Sequence, residues 1–183
     1  MLNALSYRAY VGMAADGTSS WMNMIDRGAG ATAEAWDESQ KSNLTYSHPW
    51  AASPAFHVPS GLFGIKPVEA GYSTFEIAPQ LGSLDYGTVT VPTVKGEVGT
   101  GFAHDSAGDL AVIAQVPGNT SASLTVPVPD GTTQVFVDGD AVDVTPSGGN
   151  VALEDVTAGC HLVTLSDRGP LKVWLTSGFM PPV

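Results

Sequence analysis

The stretch "TVTVPTVKGEV", Thr88 to Val98, alternates β-branched residues with small or polar ones and carries a proline and a glycine. Period two with valine and threonine dominating reads as a strand half-buried on one face. The same pattern recurs downstream in "DLAVIAQV" (109–116), "ASLTVPV" (122–128), "TQVFVDG" (133–139), "NVALEDV" (150–156) and "HLVTL" (161–165). Pro129-Asp130-Gly131 and Asp138-Gly139 supply turn chemistry between them, the latter placed for a two-residue hairpin. Six or more short strands at near-regular spacing predict an antiparallel β-sandwich.

Upstream of residue 67 the periodicity is helical. Leu2, Leu5, Ala9 and Met13 fall on one helix face, and Asp16-Gly17 ends that pattern. Trp21, Met22, Met24 and Ile25 open a second apolar segment, interrupted by Gly28 and Gly30. Ser47 to Ile65 reads as a third helical stretch that Pro59 and Gly61 should kink or shorten. The expected organisation is therefore helical over 1–66 and a β-sandwich over 67–168, with an apolar tail over 169–183.

The 183 residues carry 18 acids against 7 Lys and Arg, a net charge of −11. With no basic patch to meet phosphates, nucleic acid is excluded as an expected partner, and an anionic membrane surface would repel the chain. No run approaches the length of a membrane span. Met1-Leu2-Asn3 lacks the opening of a signal peptide, and the compartment stays open. Cys160 is the single cysteine, so a thiolate metal cluster is not expected, nor is an intrachain disulfide. No second histidine or cysteine stands at ligand spacing from His48, so no metal and no cofactor are expected. His57, His104 and His161 read as structural or exposed.

One stretch raises a chemical question. In "GAGATAEAWDESQ", Gly28 to Gln40, Glu34 stands among small residues two positions before Trp36. A glutamate at a helix start, favoured by the dipole and by solvation, is the structural reading. The functional one is a carboxylate in a sugar cleft, with Trp36 offering a flat face to a sugar ring. On that reading Asp37 and Glu38 would raise the proton affinity of Glu34 by their negative potential. Downstream, "YSHPW" places His48 and Trp50 at a loop-to-helix junction, where a histidine can donate to a hydroxyl or cap the helix.

The set "SSWMNMIDRGAGATAEAWDE", "YSHPWAASPAFHVPSGLFGIKPVEAGYSTFEIAPQLGSLDYGTVTVPTVKGEV" and "GCHLVTL" resembles, in order, the C-terminal part of α-L-rhamnosidases of glycoside hydrolase family 78, over roughly residues 1–166. The resemblance implies the closing helices of an (α/α)6 toroid, incomplete here, followed by a C-terminal β-sandwich. It implies Glu34 as the general base of an inverting hydrolase, Trp36 as an aromatic of the rhamnose pocket, and His48 as a hydrogen-bonding partner of the sugar. It places Trp21 near the pocket. Pro59 and Gly61 depart from the family pattern, which continues the helix there with bulky residues.

Inverting glycosidases need two carboxyl groups, one protonating the leaving oxygen and one deprotonating water. Asp16, Asp26 and Asp37 do not resemble the family's acid motif. The expectation is thus a fragment that acts on rhamnose-containing glycosides but is weakly active or inactive alone. The alternatives are a non-catalytic carbohydrate-binding or accessory module, and an interaction protein whose exposed helix faces complete another chain's toroid or drive self-association.

Overall fold

A computed structural model describes residues 19–104 and 108–166. The chain divides into two compact units, the break falling between Leu62 and Phe63. The expected helix through Leu2 and Met13, the candidate acid Asp16 and the tail over 169–183 lie outside the described residues.

In the first unit, α1 is Trp21–Asp26. Ser20 caps it by accepting the backbone N–H of Asn23 at 3.0 Å. Its end is a Schellman turn: Gly28, at φ +76°, donates to the Ile25 carbonyl at 2.9 Å, and Ala29 donates to Met24 at 3.0 Å. Residues 27–48 then run irregularly. The single helix expected over Ser47–Ile65 is instead three short windings: a 3-10 turn Pro49–Ala52, a four-residue α2 Pro54–His57 and a π turn Val58–Leu62. Pro49, Pro54 and Pro59 each remove a backbone donor, which explains why no continuous helix forms.

The second unit is a β-sandwich, with ten strands among the described residues. They are β1 Lys66–Pro67, β2 Thr74–Ile77, β3 Tyr86–Thr93, β4 Gly96–His104, β5 Leu110–Val116, β6 Ser121–Pro127, β7 Gln134–Val137, β8 Asp140–Asp143, β9 Asn150–Val156 and β10 Gly159–Thr164. One sheet has the order β1-β2-β6-β9, the other β3-β4-β5-β10-β7-β8. Every pair is antiparallel except β2 with β6, which is parallel. That departs from the wholly antiparallel expectation, because a long excursion through the other sheet separates these two strands.

Thr88–Val98 is not one strand but a hairpin, with Thr93 opposite Gly96 and Val94-Lys95 at the tip. Thr93 Oγ1 accepts the Lys95 N–H at 3.1 Å and donates to the Gly96 carbonyl at 2.6 Å, which closes the turn. Alternate residues fill the core: Phe75, Ile77, Leu124 and Val126 from one sheet, Val98, Phe102, Val112, Val135 and Val163 from the other, all fully buried. Each such side chain contributes about 1.5–3 kcal/mol by leaving water, which sets the sheets face to face.

Candidate functional site

The four residues singled out in the sequence, Trp21, Glu34, Trp36 and His48, come together in the first unit. Two irregular segments bring them there by pairing through the backbone. His48 N–H donates to the Thr32 carbonyl at 2.7 Å, and Glu34 N–H to Thr45 at 2.9 Å. Thr32 Oγ1 donates to the His48 carbonyl at 2.8 Å. Small residues at 28–35 permit this close approach, with Ala33 buried against Met24.

Glu34 is not at a helix start. It lies eight residues beyond the end of α1, and only 13% of its side chain is exposed. Lys41 Nζ binds Glu34 Oε1 as a hydrogen-bonded ion pair, and the Thr45 N–H donates to Oε2 at 3.3 Å. The Lys41 hydrogen bond, with the Thr45 amide, holds the Glu34 carboxyl below its ordinary value against the opposing effect of partial burial. This corrects the expectation that Asp37 and Glu38 raise its proton affinity. Those two charges are engaged elsewhere: Asp37 accepts from the Ser39 hydroxyl and amide, which lowers its pKa, and Glu38 pairs with Tyr46 and with Arg27 at 3.5 Å.

Three indoles surround this carboxylate-bearing segment. Trp21 meets Trp36 edge to face, ring centroids 5.4 Å apart, and its Nε1–H donates to the Ala51 carbonyl at 2.9 Å. The Trp36 carbonyl accepts from Asn23 Nδ2 at 3.1 Å and from Arg27 at 3.3 Å. Trp50 donates its Nε1–H to the Glu34 carbonyl at 3.2 Å.

His48 stacks on Trp50 with ring centroids 4.0 Å apart and planes 8° from parallel. It starts the 3-10 turn but makes no capping bond through its side chain. Both of its ring nitrogens are buried, and neither has a hydrogen-bond partner among the described residues. Leaving such a group unpaired costs about 1–3 kcal/mol.

Lys41 was not singled out from the sequence, and Trp50 was named there beside His48 without a role. Lys41 is legible in hindsight as a lone cation within an acidic stretch, and Trp50 as the aromatic closing Ser47-His48-Pro49-Trp50. Among the described residues, no three His, Cys, Asp or Glu side chains gather to hold a metal, and no helix is long and apolar enough to cross a membrane. The sandwich unit carries an open cleft of about 660 Å³ beside Glu69, Tyr72 and Val94.

Residues 64–139 match the family described as bacterial alpha-L-rhamnosidase C-terminal domain. The fold is similar to that of Streptomyces avermitilis alpha-L-rhamnosidase, solved in complex with L-rhamnose, at a TM-score of 0.71 and 25% identity over 86% of this chain and 16% of that one. Alpha-L-rhamnosidase from Dictyoglumus thermophilum gives 0.67 at 18% identity, over 79% of this chain and 17% of that one. The native enzyme from Aspergillus terreus gives 0.57 at 21% identity, over 82% of this chain and 17% of that one. Comparison with curated protein sequences yields no match. The resemblance to the C-terminal part of α-L-rhamnosidases, expected from the motifs, is borne out. The chain spans about one-sixth of the length of these structures, and the matched family segment lies wholly within the sandwich unit.

Proposed function

We propose that this chain is the base-bearing, C-terminal portion of an inverting family 78 α-L-rhamnosidase, with terminal α-L-rhamnose of a rhamnoside as substrate. The observation that carries the reading is the His48 imidazole, which is buried beside the segment bearing Glu34 and has no hydrogen-bond partner among the described residues. A sugar hydroxyl is the partner such an imidazole lacks.

The electrostatics favour one role for Glu34. Held below the ordinary carboxylate range by Lys41, it is ionised at neutral pH and acts as an acceptor. An ionised carboxylate takes a proton from water and cannot supply one to a leaving group, so Glu34 fits the base of the pair and not the acid. The general acid comes from outside the described residues. Met22, Ile25 and Phe56 are exposed, as apolar surfaces that pack against further helices of a toroid would be.

Equilibrium titration with L-rhamnose, beside D-glucose, tests the site. Rhamnose binding that His48→Ala weakens at least about tenfold is the predicted result. Equal binding of both sugars, or none of either, contradicts it. Hydrolysis of an aryl α-L-rhamnoside tests the role: no turnover is predicted for the chain alone, and turnover that survives Glu34→Gln would refute the base assignment.

A second reading has one observation in its favour. The open cleft beside Glu69 and Tyr72 gives the sandwich a surface of its own, as a non-catalytic carbohydrate-binding module would have. It predicts sugar binding indifferent to Glu34 and His48.

A further inference from the structure

We infer that β3 is an interface strand whose free edge pairs antiparallel with the same edge of a second copy of this chain, about a two-fold axis at Val89. The inference is independent of the site around Glu34.

β3 ends the sheet order β3-β4-β5-β10-β7-β8, so among the described residues no strand lies on its other side. The other three sheet edges are blunted. β1 has two residues, one of them a proline, and β8 has four with an acid at each end. β9 carries Glu154 and Asp155, the latter at φ +54°. β3, by contrast, runs for eight residues, Tyr86–Thr93, without a charge. Proteins avoid leaving a long neutral edge open unless another strand covers it.

The ladder to β4 fixes which groups this edge offers. His104 N–H donates to the Asp85 carbonyl at 3.0 Å, and the alternation of an antiparallel pair then makes Gly87, Val89 and Val91 exchange bonds with β4. Tyr86, Thr88, Thr90 and Pro92 therefore turn their backbone groups outward, and all four are exposed. The missing N–H of Pro92 costs the ladder nothing there.

The edge is complementary to itself. With Val89 opposite Val89 of the second copy, Thr88 faces Thr90 and exchanges two hydrogen bonds with it, and the two-fold axis repeats the exchange. Tyr86 faces Pro92, so its N–H meets the carbonyl of the residue that has no N–H to return. Pro92 also lines the open cleft of about 660 Å³ with Val68, Tyr72 and Val94. The Tyr86 ring of the second copy, 67% exposed in the single chain, is thus set against apolar walls. The same register puts Asp85 of one copy opposite Thr93 of the other, two residues from Lys95. A net charge of −11 on each copy opposes pairing. At about 0.15 M salt a Debye length of about 8 Å limits that opposition to charges close to the edge. A single strand pair makes a small interface, so the dimer is a weak one.

Sedimentation equilibrium of the full chain from about 1 μM to about 1 mM, at that salt, tests the pairing. A monomer–dimer equilibrium is expected. Thr88→Pro, which removes an outward N–H and no ladder bond, should weaken it at least about tenfold with an unchanged unfolding midpoint. In a Cys160→Ser background, Val89→Cys should form a disulfide-linked dimer on oxidation, because directly opposed residues of a non-hydrogen-bonded pair have Cα atoms about 4.5 Å apart. Thr88→Cys, whose symmetry mate stands two positions along the ladder, should not. The two cysteine variants decide should Thr88→Pro fail to fold. A dimer that folded Thr88→Pro leaves intact, or equal cross-linking by Thr88→Cys and Val89→Cys, overturns the proposal. Monomer at every concentration overturns it too, and leaves the edge to a strand of another protein.

Discussion

Lys41 Nζ grips one carboxylate oxygen of Glu34 while the Thr45 amide donates to the other, so both oxygens are oriented by residues from the segment that follows. The folded-state pKa of Glu34 is depressed by this arrangement. A depressed carboxylate contributes stability that is complete above its unfolded value, about 4.3, and lost as pH falls through the folded value. Asp37, depressed by Ser39, acts in the same direction. Lys41→Met removes the largest cause of the Glu34 depression and leaves the Thr45 amide, so the variant's stability should fall less steeply than the parent's between about pH 5 and pH 3. Urea unfolding across that range measures it, and equal slopes would refute the pair's role.

Gly64 has no room for a side chain. Its φ is +67°, and an added Cβ would stand 2.0 Å from the Ala78 carbonyl oxygen, whose residue donates its own N–H back to Gly64 at 3.2 Å. Left-handed backbone alone costs a non-glycine residue about 1–2 kcal/mol, and the backbone clash adds to it. Gly64→Ala should destabilise the sandwich by about 3 kcal/mol or more, read from thermal unfolding. A change under about 1 kcal/mol would show that the contact between the chain entering β1 and the chain leaving β2 is laxer than described.

Asp138 secures the β7–β8 hairpin to β10. One carboxylate oxygen accepts the Leu162 N–H at 2.8 Å, and the other lies 2.8 Å from His161 Nδ1, while His161 Nε2 lies 3.0 Å from the Thr157 carbonyl. Asp138 and Gly139 both hold positive φ, the signature of a type I′ turn. Asp138→Ala should cost about 2–3 kcal/mol through lost hydrogen bonds and left-handed strain. Asp138→Asn, which tolerates that conformation and keeps an acceptor, should cost less than half as much. Denaturant midpoints for the two variants check the order, and Asn as damaging as Ala would contradict it.

Phe102 is 1% exposed and packs on Phe63 at 5.6 Å, with Gly87 directly opposite in the ladder. Phe102→Ala should lose about 3–5 kcal/mol. A Cβ at Gly87 would press within 3.1 Å of both rings. Gly87→Ala should therefore harm the parent but be tolerated in the Phe102→Leu background. Additive effects in that double-mutant cycle would mean the rings can already move aside.

The sandwich was the legible part of the sequence, because period two survives whatever the strands pack against. The segments read as single strands at 109–116, 122–128 and 150–156 are strands here. Thr88–Val98 was misread as one strand because Val94 keeps the β-branched pattern across the hairpin tip, where it stands 85% exposed. Ser47–Ile65 showed helical spacing, yet three prolines divide it into windings of different pitch. At the site, the clustering of Trp21, Glu34, Trp36 and His48 was anticipated through motif order, since no local periodicity links residues 21 and 48. What the sequence hid was charge pairing. Asp37 and Glu38 look like neighbours of Glu34 along the chain, but backbone reversal brings Lys41 to it and turns the two acids to Ser39, Tyr46 and Arg27.

The central claim is that rhamnose is bound by the first unit, around Glu34. Mapping ¹H–¹⁵N chemical-shift changes during titration with L-rhamnose tests it most directly. The account predicts saturable shifts at Glu34, Trp36, His48 and the Trp50 indole, with the amides of the sandwich unmoved. Shifts confined to Glu69, Tyr72 and Val94 around the sandwich cleft, or no shifts at all, would contradict it.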